Sequence, residues 1–286
     1  MMKKTFTHKK WLAQYAAEDG ARLDRLSYDG FDLLTTAPAA FKQPQADYGT
    51  YETRPVYGYD DCFPSVEPCV FPGLNWEVPD HGELCWLPWN SEQLPDRLLF
   101  TVRSPHIPVV FKREIRFSEN TLTWDFELIN EGTSDLPFLY VIHPLMPLSQ
   151  VAELRFPGFK SVYDSIESKT INLKNPAEVE TFLLNREKGT ASMLFLQHID
   201  DGRISLGFKN GLHLHIKFPS RLFPSIGIWW NNSGYPDEEG CRRNECAFEP
   251  VPGLSSNLAD EYASETCPFI GAGQVLHWQF DWTMET

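Results

Sequence analysis

With 286 residues the chain is long enough to bury a sizeable core without disulfide or metal staples, and length alone fits one large all-β unit or two smaller domains. A hydrophobic fraction of 42% and a charged fraction of 22% are those of an ordinary soluble globular protein. The formal net charge of -14 repels phosphate backbones and anionic lipid, which sets aside nucleic acid and membrane as partners.

In chain order, the first segment, Met1-Met2-Lys3-Lys4-Thr5-Phe6-Thr7-His8, lacks the apolar core of an export signal. No stretch approaches the ~20 apolar residues of a membrane span. A cytoplasmic protein is expected. Residues 20–34 read as a hairpin turning at Tyr28-Asp29-Gly30. The Pro- and aromatic-rich run 38–95 has weak periodicity; such a run in a compact domain is expected to form a binding surface or a lid.

Period two dominates the rest. Phe111, Ile115 and Phe117 share one face, Ser118-Glu119-Asn120 turns the chain, and Leu122, Trp124, Phe126 and Leu128 alternate with polar residues. Residues 136–142 form a buried apolar strand. Asn210-Gly211 separates strands 204–209 and 212–218, because both turn positions favour positive φ. One short helix is expected over residues 258–263, capped by Ser255 or Ser256. Leu276, Trp278, Phe280 and Trp282 alternate in the last strand. These patterns give an all-β architecture with long loops and few helices, and no composition shift marks a boundary within residues 1–286.

Cys62, Cys69, Cys85, Cys241, Cys246 and Cys267 are sparse for the length and are read as free thiols; their spacings are poor zinc knuckles. His213 and His215 lie two apart on one strand face, a pair that suits either a metal or a partly solvated sheet surface.

Three ionisable groups stand at strand ends or turns. Pro144 holds His143 extended at the end of the apolar strand, where an imidazole of pKa ~6.5 can give or take a proton or simply bond a carbonyl. Glu249, between Phe248 and Pro250, is either a partly desolvated base or a turn glutamate. His81 lies between Asp80, which could orient its ring, and Gly82, which lets backbone approach a ligand; the plain alternative is a turn residue. Trp86, Trp89, Trp229, Trp230 and Tyr235 cluster with Asn90, Asn231 and Asn232, and flat rings beside amides suit a sugar surface.

Taken in order, Gly20-Ala21-Arg22-Leu23, Asp80-His81-Gly82-Glu83 with Pro88-Trp89, Ile142-His143-Pro144 and Phe248-Glu249-Pro250 resemble the galactose mutarotase (aldose 1-epimerase) superfamily. The resemblance implies a large antiparallel β-sandwich of supersandwich type with a sugar across a concave sheet. It implies Glu249 as the base at the anomeric hydroxyl, His143 as the acid at the ring oxygen across a pyranose-sized gap, and His81 as a substrate-positioning residue. No cofactor and no metal are implied. The loop lacks the arginine that family members place near this histidine; Arg54 is the nearest candidate, Asp60 or Asp61 could accept from sugar hydroxyls, and Asp61, Arg54 and Trp230 complete the expected binding set. A neutral aldose is expected over a sugar phosphate, as no cationic clamp is evident, and a homodimer is left open. The alternatives are a non-catalytic sugar-binding or sensing protein and a lyase or hydrolase on a similar sandwich.

Overall fold

A computed structural model describes residues 3–37, 42–236 and 242–286. The alternating runs do form strands. Val109–Phe117 and Thr121–Asn130 pair antiparallel, and Thr121–Asn130 pairs in turn with Val275–Glu285. Their register sets Leu122 opposite Trp282, Trp124 opposite Phe280 and Phe126 opposite Trp278, so the large apolar residues of neighbouring strands share one buried face. Each such side chain taken out of water contributes about 1.5–3 kcal/mol. These strands lie in the middle of an eight-stranded sheet that also holds the Asn210-Gly211 hairpin, Arg203–Phe208 with His213–Lys217.

Two further six-stranded antiparallel sheets carry the residues of interest. The first runs from Lys4–His8 through Trp11–Ala16 and Arg22–Tyr28 to Tyr59–Cys62 and Val141–Pro144. Arg22–Tyr28 turns into Phe31–Asp32 with Asp29 and Gly30 both at positive φ, as the early hairpin requires. The second contains Met146–Pro147, Asn244–Val251, Ser225–Asn232 and Thr190–Gln197. Tyr59 stacks on Trp124 at 4.9 Å, tying the first of these sheets to the eight-stranded one.

Two α-helices occur among the described residues. Leu258–Ala263 is capped by Asn257, whose side chain accepts from the backbone N–H of Ala259 and Asp260. The expected serine caps are engaged elsewhere: Ser255 donates to Glu261 and Ser256 to Glu67. The second helix, Pro176–Leu184, was not anticipated from periodicity, yet its start is written in sequence. Asn175 accepts from the Glu178 N–H, Glu178 accepts from the Lys174 N–H, and proline fills the first turn. No helix among the described residues is long and apolar enough to cross a membrane.

Candidate active site

The chain changes sheets at Leu145. Val141–Pro144 pairs with Tyr59–Cys62, and two residues later Met146–Pro147 pairs with Asn244–Val251. This crossing brings the edge that carries His143 beside the strand that carries Glu249. His143 Nδ1 and Glu249 Oε1 are 2.5 Å apart, a charge-assisted hydrogen bond between two buried groups. The expectation of a pyranose-sized gap between them is therefore corrected: the two side chains touch. Among the described residues the pair's one side-chain hydrogen bond is this mutual contact, which leaves His143 Nε2 and Glu249 Oε2 free, and both side chains line a cavity of about 240 Å³.

The third group arrives from the loop. His81 has φ +62° and Gly82 φ +71°, a left-handed pair that reverses the chain tightly. Gly82 is obligatory there, since an added Cβ would come within 2.2 Å of the Phe63 carbonyl oxygen. Asp80 Oδ1 lies 2.9 Å from His81 Nδ1 and fixes the ring, which stacks on Tyr51 at 3.6 Å and 11°. The His81 and His143 rings meet edge to face at 4.9 Å. Tyr51, missed in the sequence, is the common support: its hydroxyl donates to Asp60 at 2.9 Å while its ring carries His81.

Three expected binding residues do not reach the cavity. Asp61 lies opposite Ile142, on the strand face away from His143 and Asp60, and is fully buried. It pairs with Arg113 and accepts from Tyr59 and Tyr140 hydroxyls at 2.7 Å each, which makes it a core residue. Arg54 is also buried, behind the site, donating to Asp19 at 2.9 Å and Asp60 at 3.2 Å and stacking on Trp86. Trp230 points into the core, because Gly227, Trp229 and Asn231 share the Glu249 face and Trp230 takes the other. Trp229 is the tryptophan on the cavity, with Tyr235 edge-on to it at 5.8 Å.

Arg243 and Glu52 were not foreseen. Arg243 Nη1 and Nη2 donate to the Glu52 carboxylate at 3.0 and 3.3 Å, and its Nε donates to Glu245 Oε1 at 2.8 Å. Trp229 Nε1 donates to the same Glu245 oxygen at 3.2 Å. A cation is thus present on the wall, but two carboxylates hold it.

The electrostatics favour a protonated His143. Burial works against the imidazolium, yet Glu249 foremost, with Asp60 and Glu245 behind it, outweighs burial and raises the pKa above 6.5. Because the folded value is raised, the pair's contribution to stability is full below the unfolded pKa of ~6.5 and is lost as pH rises through the folded one. The proton spectrum of His143 is expected to titrate above ~6.5 in the native protein and to move down in Glu249→Gln. A midpoint unchanged by that substitution would show that the carboxylate does not control the ring.

No group of three or more His, Cys, Asp or Glu among the described residues is arranged to hold a metal ion. His215 Nδ1 is 2.8 Å from Ser205 Oγ on the partly solvated sheet face, 6.4 Å ring to ring from His213. Cys62, Cys69, Cys85, Cys246 and Cys267 are free; Cys241 lies outside the described residues. A larger groove, about 530 Å³, lies on the eight-stranded sheet, with Lys112 paired to Glu127 in its lining. The smaller cavity is the one lined by His81, His143 and Glu249.

No protein-family model matches the chain, and no curated protein matches it. Solved structures do. The fold is similar to a putative aldose 1-epimerase from Escherichia coli K12 (TM-score 0.75, 14% identity, 99% of this chain and 99% of that one). It is similar to the Slr1438 protein of Synechocystis sp. PCC 6803 (TM-score 0.74, 13% identity, 100% and 96%). A galactose mutarotase related enzyme from Lactobacillus acidophilus also matches (TM-score 0.71, 14% identity, 100% and 98%). At these identities the likeness is one of fold: the chain has the galactose mutarotase-like fold over its full length.

Proposed function

We propose that the protein interconverts the anomers of a free aldose by opening and reclosing its ring. The observation that carries this reading is the His143–Glu249 pair, bonded through Nδ1 and Oε1, with Nε2 and Oε2 free of hydrogen-bond partners among the described residues, on one small cavity. An imidazolium and a carboxylate side by side hold one mobile proton and one vacant basic site. Glu249 Oε2 takes the proton from the anomeric hydroxyl as His143 Nε2 gives its proton to the ring oxygen. The C1–O5 bond breaks and the C1–O1 bond becomes a carbonyl. The protein then carries a neutral imidazole and a neutral carboxyl, so no charge is left uncompensated in the buried site. Rotation about C1–C2 and reclosure on the other face return both protons. Each proton-transfer partner contributes typically ~10²–10⁴-fold.

The surroundings suit this role. His81 is held by Asp80 and Tyr51 over the pair, where it can bond sugar hydroxyls, and Trp229 offers a flat apolar wall to C–H faces. The cavity is monosaccharide-sized, below the ~300–1,000 Å³ of drug-sized ligand sites. A second reading, sugar binding without turnover, is favoured by the contact itself, since an acid and base bonded to one another also brace the cavity wall. Exchange NMR on anomerically enriched aldoses separates the two. Interconversion faster than in buffer supports the isomerase. Binding with no acceleration across hexoses and pentoses supports the sensor and removes the proposal.

A further inference from the structure

The cavity is rich in carboxylates: Glu52, Glu67, Asp80, Glu245 and Glu249 line it. Arg243 is the one lysine or arginine among the described lining residues, and each of its three guanidinium nitrogens is hydrogen-bonded. Nη1 and Nη2 meet the two oxygens of Glu52, the bidentate geometry by which arginine recognises a ligand carboxylate or phosphate, and Nε meets Glu245. Arg54, whose Nη1 and Nη2 are held by Asp19 and Asp60, is buried and does not line the cavity. Among the described lining residues, the only guanidinium is already bound to carboxylates.

The two partners of Arg243 differ. Glu245 is 1% exposed and also accepts from Trp229, so it is fixed in the wall. The Glu52 side chain is 39% exposed and comes from the short 3-10 turn Tyr51–Thr53, 191 residues away in sequence. It is the partner that can be removed without stranding a buried charge. Glu52 thus stands where the anion of a charged sugar would stand.

We propose that Glu52 is a specificity-determining residue: by occupying the Arg243 fork it restricts the site to uncharged aldoses and rejects sugar phosphates. The inference rests on the sugar-site reading but not on turnover. It acts through exclusion, which is how discrimination is obtained when attractive contacts alone are too weak. A phosphate entering the wild-type cavity meets five carboxylates and must displace Glu52 to reach the Arg243 fork. With glutamine at position 52 the fork regains two free donors, and the wall loses a negative charge.

The test is calorimetric titration with matched probes, D-glucose with D-glucose 6-phosphate and D-galactose with D-galactose 6-phosphate, on the whole chain. The wild type is expected to bind a free sugar at least ~10-fold more tightly than its phosphate. Glu52→Gln is expected to shift that ratio toward the phosphate by ~10–100-fold, the worth of charge-assisted hydrogen bonds, with a gain that shrinks as salt rises. Adding Arg243→Gln to Glu52→Gln should cancel the gain. An unchanged ratio in Glu52→Gln, or a wild type that prefers the phosphate, overturns the inference even if anomer exchange is observed. A shifted ratio without anomer exchange supports it and removes only the catalytic reading. If neither sugar nor phosphate binds to any variant, both fall. Thermal melts of Glu52→Gln are expected to stay close to the wild type, since Glu52 is partly exposed and Arg243 keeps its Glu245 partner.

Discussion

Glu249→Gln is expected to slow anomer interconversion by roughly 10²–10⁴-fold while the protein stays folded and still binds sugar. The change is nearly isosteric, and the amide oxygen can still accept from His143 Nδ1 across the present 2.5 Å contact. What it removes is basicity at Oε2 and the negative charge that holds the neighbouring imidazole protonated. Both halves of the proton exchange fail together, since His143 loses the main influence raising its pKa. The pH profile should therefore move as well as fall: the limb set by His143 shifts to lower pH, by the sign worked out for a raised histidine. His143→Gln should cost a similar factor, and the double variant little more than either single one, because groups acting as a unit are not additive. Equal losses that multiply in the double variant would mean that the two residues act separately. A Glu249→Gln protein with wild-type exchange rates would end the mechanism.

The sequence exposes strands wherever one face is wet. Thr121–Asn130 alternates half-buried and buried at every step, and its period was readable for that reason. Asn210-Gly211 announced its hairpin through turn chemistry that needs no tertiary context. The site strands are different. Tyr59–Cys62 is buried at all four positions, and the Ser225–Asn232 strand is nearly so, because other layers cover both faces. Without a polar face the alternation carries no phase, and a choice between adjacent residues is undetermined. Two corrections follow from that one cause: the sequence pattern puts Asp61 at the site although Asp60 shares the His143 face, and Trp230 there although Trp229 shares the Glu249 face. A slip of one residue turns every side chain to the opposite side of a sheet. His81, His143 and Glu249 escaped the ambiguity because Gly or Pro beside each gave a local reason for its position. The Glu52–Arg243–Glu245 triad had no local signal at all, being assembled from a loop and a strand far apart in the chain.

Asp61→Ala provides the sharpest test of that corrected register. If Asp61 faced the ligand, its loss would weaken sugar binding and leave stability nearly untouched. Placed as it is, the substitution strands the fully buried Arg113 guanidinium, which is enclosed by Phe100, Tyr59 and Trp89, and leaves the Tyr59 and Tyr140 hydroxyls without their acceptor. Breaking a buried ion pair in this way costs about 3–5 kcal/mol. Denaturant midpoints should fall accordingly, while sugar affinity per folded molecule stays within about twofold, since mutations at core positions without ligand contact act on the folded fraction. Burial raises the Asp61 pKa against the pull of Arg113 and the two tyrosine hydroxyls, while Asp61 raises the Arg113 pKa against burial. Taking both charges out of water offsets much of their attraction. Asp61→Leu combined with Arg113→Met should therefore recover most of the loss, as apolar replacements of buried pairs do. Recovery in that double variant, with exchange activity intact, would place Asp61 under the sheet. Loss of sugar affinity without loss of stability would return it to the cavity and move the whole strand by one residue.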